Sequence, residues 1–547
     1  MLKKLIIFIF LITIISCKKE NKPVPIPEQF NVLQVEINGK TGTTSFSVIS
    51  TSIDCRLNFS APVDTSTLRN SIIFSTASGT VIPIKINGEN SDSLIHIITL
   101  QPLKYLSIYY LSVRNGLVSK KGTQLAVDYI IKVTTSIDTT DKFPRIPDEE
   151  LLSLIQRQTF KYFYDFAHPN CGLARERNSS GDVVTIGGSG FGVMTLIVGM
   201  ERGFITRNEG LSRLGKILGF LETCDRFHGA WPHWLNGVTG KTVPFSQLDD
   251  GGDLVETSFM IQGLLTMRQY LNSAAPVENE YIGRINSLAN TVEYDWFTRG
   301  GQNVLYWHWS PNTGWATNVK LQGYNETLIT YVLAASSTTH FIPAAAYKLG
   351  YSRNGAIRNG KTFYGYKLPL GEDYGGPLFF THYSFLGLNP KNLQDEFANY
   401  WEQNVNQSLI NYSYCIANPN GNAGYGANSW GLTASDIPNG YAASSPTNDL
   451  GVIAPTAAIS SLPYTPVESM QAIRFFYYKL GDKIWSDYGF KDAFSLREAW
   501  FAGSYLAIDQ GPEIMMIENY RTGLLWNLFM SAPEVQSGLT KLGFTYK

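Results

Sequence analysis

The chain has 547 residues, 44% of them hydrophobic and 16% charged, a balance that suits a large folded core and excludes a disordered chain. Lys and Arg number 44 against 45 Asp and Glu, so a nucleic-acid or anionic-membrane partner lacks its main electrostatic driving force. Any polymer it handles is expected to be neutral, and at roughly 150 residues per domain the length requires more than one folded part.

Residues 1–4 are basic and residues 5–15 form an apolar run, shorter than the roughly 18 residues a membrane-spanning helix needs. The run ends Ile14-Ile15-Ser16-Cys17, which resembles a bacterial lipobox. Residues 1–16 are therefore expected to be a lipoprotein signal peptide, with Cys17 lipidated after cleavage. The other reading is an ordinary signal peptide with a chance cysteine. Residues 17–29 follow as a tether, polar and rich in proline (Pro23, Pro25, Pro27). Cys55, Cys171, Cys224 and Cys415 show no CxxC or Cys/His metal spacing. Structural burial is expected for them, and no metal or other cofactor.

Residues 30–136 alternate apolar and polar positions in short runs punctuated by Gly, Asn and Ser, as strands of a β-sandwich do. Leu57-Asn58-Phe59-Ser60-Ala61-Pro62-Val63-Asp64, then Ser66-Thr67-Leu68, resembles a bacterial Ig-like domain, read here as a spacer or docking unit. Residues 137–147 are a linker with two prolines. Beyond it the apolar period becomes 3.6, with helices predicted over 149–166, 191–202, 211–224, 254–270, 281–297, 325–335, 377–386, 393–415, 450–460 and 467–480. Two more fall between Gly511 and Met530. A dozen helices without βαβ alternation, joined by long Gly/Asn/aromatic loops, imply a mainly α fold over 148–547, an (α/α)6 barrel with one wide pocket.

Three acidic stretches are candidates for chemistry. In Gln247-Leu248-Asp249-Asp250-Gly251-Gly252-Asp253-Leu254-Val255-Glu256, a helix through the string would gather Asp249, Asp253 and Glu256 on one side. Crowded acids raise the pKa of at least one, as a general acid requires. Asp253 and Glu256 also read as an N-cap with its N3 partner, which leaves Asp249 unexplained. The second is Tyr306-Trp307-His308-Trp309 and Trp315, leading to Asn325-Glu326: aromatic rings beside a carboxylate suit a sugar subsite, while a favourable first-turn acid is the alternative. The third is Asp509-Gln510-Gly511-Pro512 at a helix start, where N-capping competes with catalysis. Inversion at a glycosidic carbon needs one protonated carboxyl and one base, roughly 6.5–9.5 Å apart. His233 lies near Trp231 and Trp234, as in a subsite wall. Gly187-Gly188-Ser189-Gly190-Phe191-Gly192 lacks the strand and the Lys-Ser/Thr of a phosphate loop, and no GxSxG elbow is present.

These residues carry a resemblance. Residues 166–177, the 249–256 string, 306–309, Asn448-Asp449-Leu450-Gly451 and 508–512 resemble the glycoamylase-like domain of glycoside hydrolase family 144 over about 148–545. The resemblance implies an (α/α)6 barrel, inversion, and β-1,2-glucan cut to sophorose or sophoro-oligosaccharides. It implies Glu326 as proton donor and Asp509 as base, with Asp249, Asp253 and Glu256 as further acids of the pocket. Trp231, His233, Trp234, Tyr306, Trp307, His308, Trp309, Trp315, Asn325, Arg175 and Asp449 are the expected substrate contacts. A different glucan linkage, or a non-catalytic glycan-binding lipoprotein, are the alternative readings. The expected partners are a neutral glucan and, through the lipid alone, a membrane, with the outer membrane the expected location and a monomer the expected state.

Overall fold

The computed structural model describes residues 29–546. The expected signal peptide, Cys17 and nearly all of the tether lie outside the described residues. The chain divides into two compact units, 29–103 with 109–133, and 104–108 with 134–546.

The first unit is built of strands: β1 (Val32–Ile37), β2 (Lys40–Gly42), β3 (Ser45–Ile49), β4 (Asp54–Phe59), β5 (Ile72–Thr76), β6 (Ile84–Glu89), β7 (Leu94–Thr99), β8 (Ile108–Val113) and β9 (Tyr129–Thr135). They form a five-stranded sheet in the order β2-β1-β4-β7-β6 and a four-stranded sheet in the order β3-β9-β8-β5. Period-2 alternation decides which faces meet. Tyr109, Leu111 and Val113 point inward from β8, and Leu57 pairs with Ile95 across β4 and β7. The inward residues of both sheets share one core. Cys55 lies in it, its thiol pushed up to about 12 by burial. All four cysteines in the described residues are free and buried.

The second unit is mainly helical: α1 (Asp148–Tyr164), α2 (Ile186–Glu201), α3 (Arg207–Leu221), α4 (Leu254–Tyr270), α5 (Pro276–Asn290), α6 (Leu328–Ser336), α7 (Tyr400–Ala417), α8 (Pro455–Ser460), α9 (Pro466–Ile484), α10 (Ala507–Arg521), α11 (Leu524–Met530) and α12 (Pro533–Lys541). Two kinds alternate along the chain. Helices α1, α3, α5, α7 and α9 bury one stripe and leave the other face to solvent. Helices α2, α4, α6, α8 and α10 are buried on nearly all sides. A buried helix cannot be amphipathic, so α2 and α4 show no apolar stripe in sequence. They pack closely because glycines meet at their crossing. A Cβ on Gly190 would lie 2.4 Å from the Phe259 carbonyl, and one on Gly263 2.2 Å from the Gly190 carbonyl. The glycine-rich run at 187–192 is thus helix packing surface.

The structure departs from the predicted elements in two instructive places. Residues 377–386 form two 3-10 turns, Leu378–Thr381 and Ser384–Leu386, in place of a helix. Within them Thr381 bonds the Leu378 carbonyl and Ser384 the Glu326 carbonyl, side-chain alternatives to a helical ladder. Residues 393–399 stay outside α7, which begins where Asn399 accepts from the Glu402 N–H. No helix among the described residues is long and apolar enough to cross a membrane.

Candidate active site

The amino-terminal ends of α2, α4 and α10 contribute to one cavity of about 480 Å³, through Thr185, Glu256 and Leu506 with Ile508. Short ladders in the connecting loops aim the rest. Strand β10 (Val183–Thr185) pairs with β11 (Trp234–Asn236), and the Ile186 N–H bonds the His233 carbonyl, so His233 and Trp234 sit against the start of α2. Strand β12 (Gly252–Asp253) pairs with β13 (His308–Trp309), which brings the acidic string beside the aromatic one. The hairpin β14 (Ala434–Ile437) and β15 (Gly440–Ala443) adds Tyr441 to the opposite wall.

The acidic string is not one helix. Gly251 packs where a Cβ would lie 2.2 Å from the Trp309 carbonyl, and α4 starts only at Leu254. Asp253 is its N-cap: Oδ1 accepts from the Val255 and Glu256 N–H groups at 3.0 and 2.9 Å. The same fully buried carboxylate uses Oδ2 to hold the ring of His233 at 2.9 Å and the Trp307 indole N–H at 3.1 Å. Capping and site-building are therefore one role. Glu256 does not close a capping box. Its Oε2 reaches across to the Gly187 N–H at 2.7 Å and the Thr185 hydroxyl at 3.4 Å, at the positive end of α2. A Cβ on Gly187 would lie 2.5 Å from that oxygen.

Burial and like charge raise Asp249 and Glu256 above the ordinary carboxylate range. Burial raises Asp249 to about 6, with Asp253 adding repulsion. Burial also raises Glu256, against the attraction of His233. For His233 burial works against the charged ring, but Glu256, Asp253 and Asp249 outweigh it and bring it to about 9. His233, Asp249 and Asp253 offer ligand atoms within 4.8 Å of one another. Asp253 Oδ2 ties the set together by accepting from the His233 ring and the Trp307 indole.

Glu326 lies just before α6, and Asp509 in the first turn of α10 with Leu506 at its N-cap. Burial brings Glu326 to about 7, with Glu256 and Asp253 adding to it. Asp509 is 2% exposed and raised well above the carboxylate range by burial, then by Asp492 and Asp436. Tyr383 interacts with both groups. Its hydroxyl donates to Asp509 Oδ1 at 3.4 Å, and it feels Asp509, Tyr441, Glu326 and Glu256 together. Aromatic rings of Trp234, Phe245, Phe379 and Tyr441 complete the wall. Such rings pack on the C–H faces of a sugar. A second cavity of about 600 Å³ shares Arg177 and Tyr441 with the first and adds Trp500 and Ser504.

Asp253, Glu256, His233, Trp234, Trp307, Asp249, Glu326 and Asp509 are thus brought together. Others of the expected residues lie outside the lining of the first cavity. Trp231 is fully buried, its indole donating to the Leu221 carbonyl and its ring covered by Arg226. Arg175 braces its own loop through the Phe166 and Gly181 carbonyls. Asp449 ties together Tyr414, Tyr425, Asn420 and Asn422. Asn325 accepts from Thr327 in a local turn, Tyr306 is buried with its hydroxyl on Gln302, and His308 pairs with Thr317. Trp309 and Trp315 belong to an aromatic cluster around Trp296, away from the wall of the first cavity. Tyr383, Tyr441, Phe245, Arg177 and Asp492 were not singled out in sequence. Tyr383 stands in an aromatic run that reads as core, and an isolated Asp in Gly489-Phe490-Lys491-Asp492 carries no signal.

The Glycoamylase family matches residues 318–533. The exo-β-1,2-glucooligosaccharide sophorohydrolase (non-reducing end) of Parabacteroides distasonis is 45% identical over 453 residues, 78% of this chain, and this chain spans 63% of that curated relative's length. The endo-β-1,2-glucanase of Chitinophaga pinensis, solved with sophorotriose and glucose, is 54% identical with a TM-score of 0.72, covering 74% of this chain and 99% of its own. A β-1,2-glucanase structure from Parabacteroides distasonis is 38% identical with a TM-score of 0.71, covering 94% of this chain and 73% of its own. The chain belongs to the glycoamylase-like family that contains these β-1,2-glucan hydrolases, glycoside hydrolase family 144.

Proposed function

We propose that this protein hydrolyses β-1,2-glucan to sophorose or sophoro-oligosaccharides with inversion at the anomeric carbon. The observation that carries the reading is 54% identity across 99% of an endo-β-1,2-glucanase solved with sophorotriose and glucose. The cavity agrees with it chemically: aromatic walls for sugar faces, with Glu176 and Glu256 in the lining. Glu326, held near 7 by burial, is the proton donor to the leaving oxygen. Asp509 is the base that activates water from the other side. Protonated His233 and the acids Asp249, Asp253 and Glu256 hold the sugar's hydroxyls and fix the donor's charge environment. The alternation of half-buried and fully buried helices supports an (α/α)6 barrel for the helical unit, and the paired sheets support an Ig-like sandwich for the first.

The protein acts as a monomer tethered to the outer membrane through a lipid on Cys17. Cys17→Ser should move it from the membrane fraction to the soluble fraction of cells, and an unchanged distribution would remove the anchor.

The deciding assay incubates residues 18–547 with linear β-1,2-glucan, with laminarin-, cellulose- and starch-type glucans alongside, and separates the products by chromatography. Sophoro-oligosaccharides from β-1,2-glucan alone are expected, and their sizes over time separate endo from exo action. Release from another glucan only, or from none, overturns the reading.

A further inference from the structure

Asp492 has no place in the reaction above, yet it is the charged neighbour that acts most strongly on the candidate base. Both Asp492 and Asp509 are 2% exposed. Their carboxyl groups lie close enough to act directly on each other. Asp492 Oδ2 accepts from the Asp436 N–H at 2.6 Å, and Asp509 Oδ1 accepts from Tyr383. The remaining oxygens, Asp492 Oδ1 and Asp509 Oδ2, have no N–H or O–H donor. Two buried acceptors that touch without a donor between them are costly unless one carries a proton. The donors around Asp492 fix where the negative charge can rest. The Asp436 N–H points at it and Arg177 lies within electrostatic reach.

We propose that Asp492 is a positioning residue that shares a single proton with Asp509, so that the singly charged pair, and not Asp509 alone, is the base of this enzyme. The inference rests on the hydrolase reading above. In the step, the pair takes one proton from water, and the hydroxide oxygen bonds to the anomeric carbon as that carbon's bond to the glycosidic oxygen breaks. Glu326 gives its proton to the leaving oxygen. The pair then returns its extra proton to solvent and Glu326 takes one up, which restores both. Sharing a proton stabilises the singly charged pair relative to the neutral one, as in other carboxyl dyads. It also fixes the direction of Asp509 Oδ2, since a hydrogen-bonded carboxylate cannot rotate freely.

The charged and titratable groups facing the pair are Asp436 from β14, Arg177 from the loop before β10, Tyr383 and Tyr441 from the cavity walls, and Glu513 one turn along α10. Glu513 is itself buried, with Oε2 unpartnered, and burial, then the charge of Asp492, raise it well above the carboxylate range. Arg177 is the cation within electrostatic reach of Asp492, itself joined to Glu176 at 3.0 Å and Asp436 at 3.2 Å.

Two measurements on the full mature chain test the proposal. The first compares Asp492→Ala and Asp492→Asn across a pH series on β-1,2-glucan. The alanine variant should lose kcat by roughly 100-fold, the low end of what a positioned base contributes. It should move the acidic limb of kcat upward in pH with KM little changed. The asparagine variant, whose amide can still donate to Asp509, should recover much of that loss. A wild-type pH profile in both variants, or an equal fall in both with the limb unmoved, overturns it. The second needs neither activity nor a folded alanine variant. Infrared spectra of protein carrying ¹³C-labelled aspartate should show one protonated Asp carboxyl at about pH 7, absent from both Asp492→Asn and Asp509→Asn. An absent band in the wild type refutes the pair even if β-1,2-glucan is cut, whereas a present band with no glucan cut refutes only the hydrolase reading.

Discussion

At the scale of single residues, the site is governed by carboxyls taken out of water. A buried carboxyl without a cation prefers its neutral form, and Glu326, brought to about 7, stands near neutrality in the way a general acid requires. Glu326→Gln should lower kcat on β-1,2-glucan by about 10²-fold to 10⁴-fold while leaving oligosaccharide binding intact, as read by turnover and by calorimetry. Near-normal turnover would remove Glu326 from the mechanism. With Glu326 as the donor, kcat/KM should fall about tenfold for each pH step above roughly 7, where the acid loses its proton. Stability follows the same groups. Glu326 and Asp249 bind protons more tightly in the folded chain than in the unfolded one, and so does His233, brought to about 9. Their contribution is full at low pH and is lost as pH rises through about 6 for Asp249, 7 for Glu326 and 9 for His233. Melting temperature should therefore fall from pH 6 to pH 9, and Glu326→Gln should raise it at pH 8 but not at pH 4. A flat wild-type profile would mean that these acids are solvated.

At the scale of elements, the crossing of α2 and α4 positions half the site. Gly190 and Gly263 let the helices meet backbone to backbone, and Thr185 and Gly187 present a helix start to Glu256. Gly263→Ala pushes a methyl onto the Gly190 carbonyl and should cost about 1–3 kcal/mol, measured by denaturant unfolding. Gly187→Ala acts differently, because its methyl displaces the Glu256 carboxylate. Activity should fall several-fold more than stability does, and a variant with wild-type kcat/KM would show that Glu256 does not need that N–H. This contact also explains what the sequence concealed. The run Asp253–Glu256 reads as a self-contained cap, but only half of it is. Asp253 caps α4, whereas Glu256 leaves its own helix for the start of another. Local spacing reports the first of these and is blind to the second.

At the scale of the molecule, the helical unit carries the whole of the candidate site. Removing residues 18–140 should leave most of the activity on soluble glucan, checked by reducing-sugar release; complete loss would mean that the strand-built unit completes the cleft. Sequence alone separated the strand-built region from the helical one, because period 2 and period 3.6 are written into local order, although the helix expected at 377–386 is two 3-10 turns. It also exposed the acids, since carboxyls at helix starts beside aromatic runs are conspicuous in a chain with few charges. The tertiary structure alone decided which aromatics face a sugar and which fill the core. Trp231 and Trp234 stand three positions apart and look alike, yet one is sealed beneath Arg226 and the other lines the cavity. It alone brought Tyr383 and Asp492 to Asp509, from 126 residues away in one case. Burial depends on what the rest of the chain packs against a residue, and in this protein it is the first cause of the upward shift at Asp249, Glu256, Glu326 and Asp509.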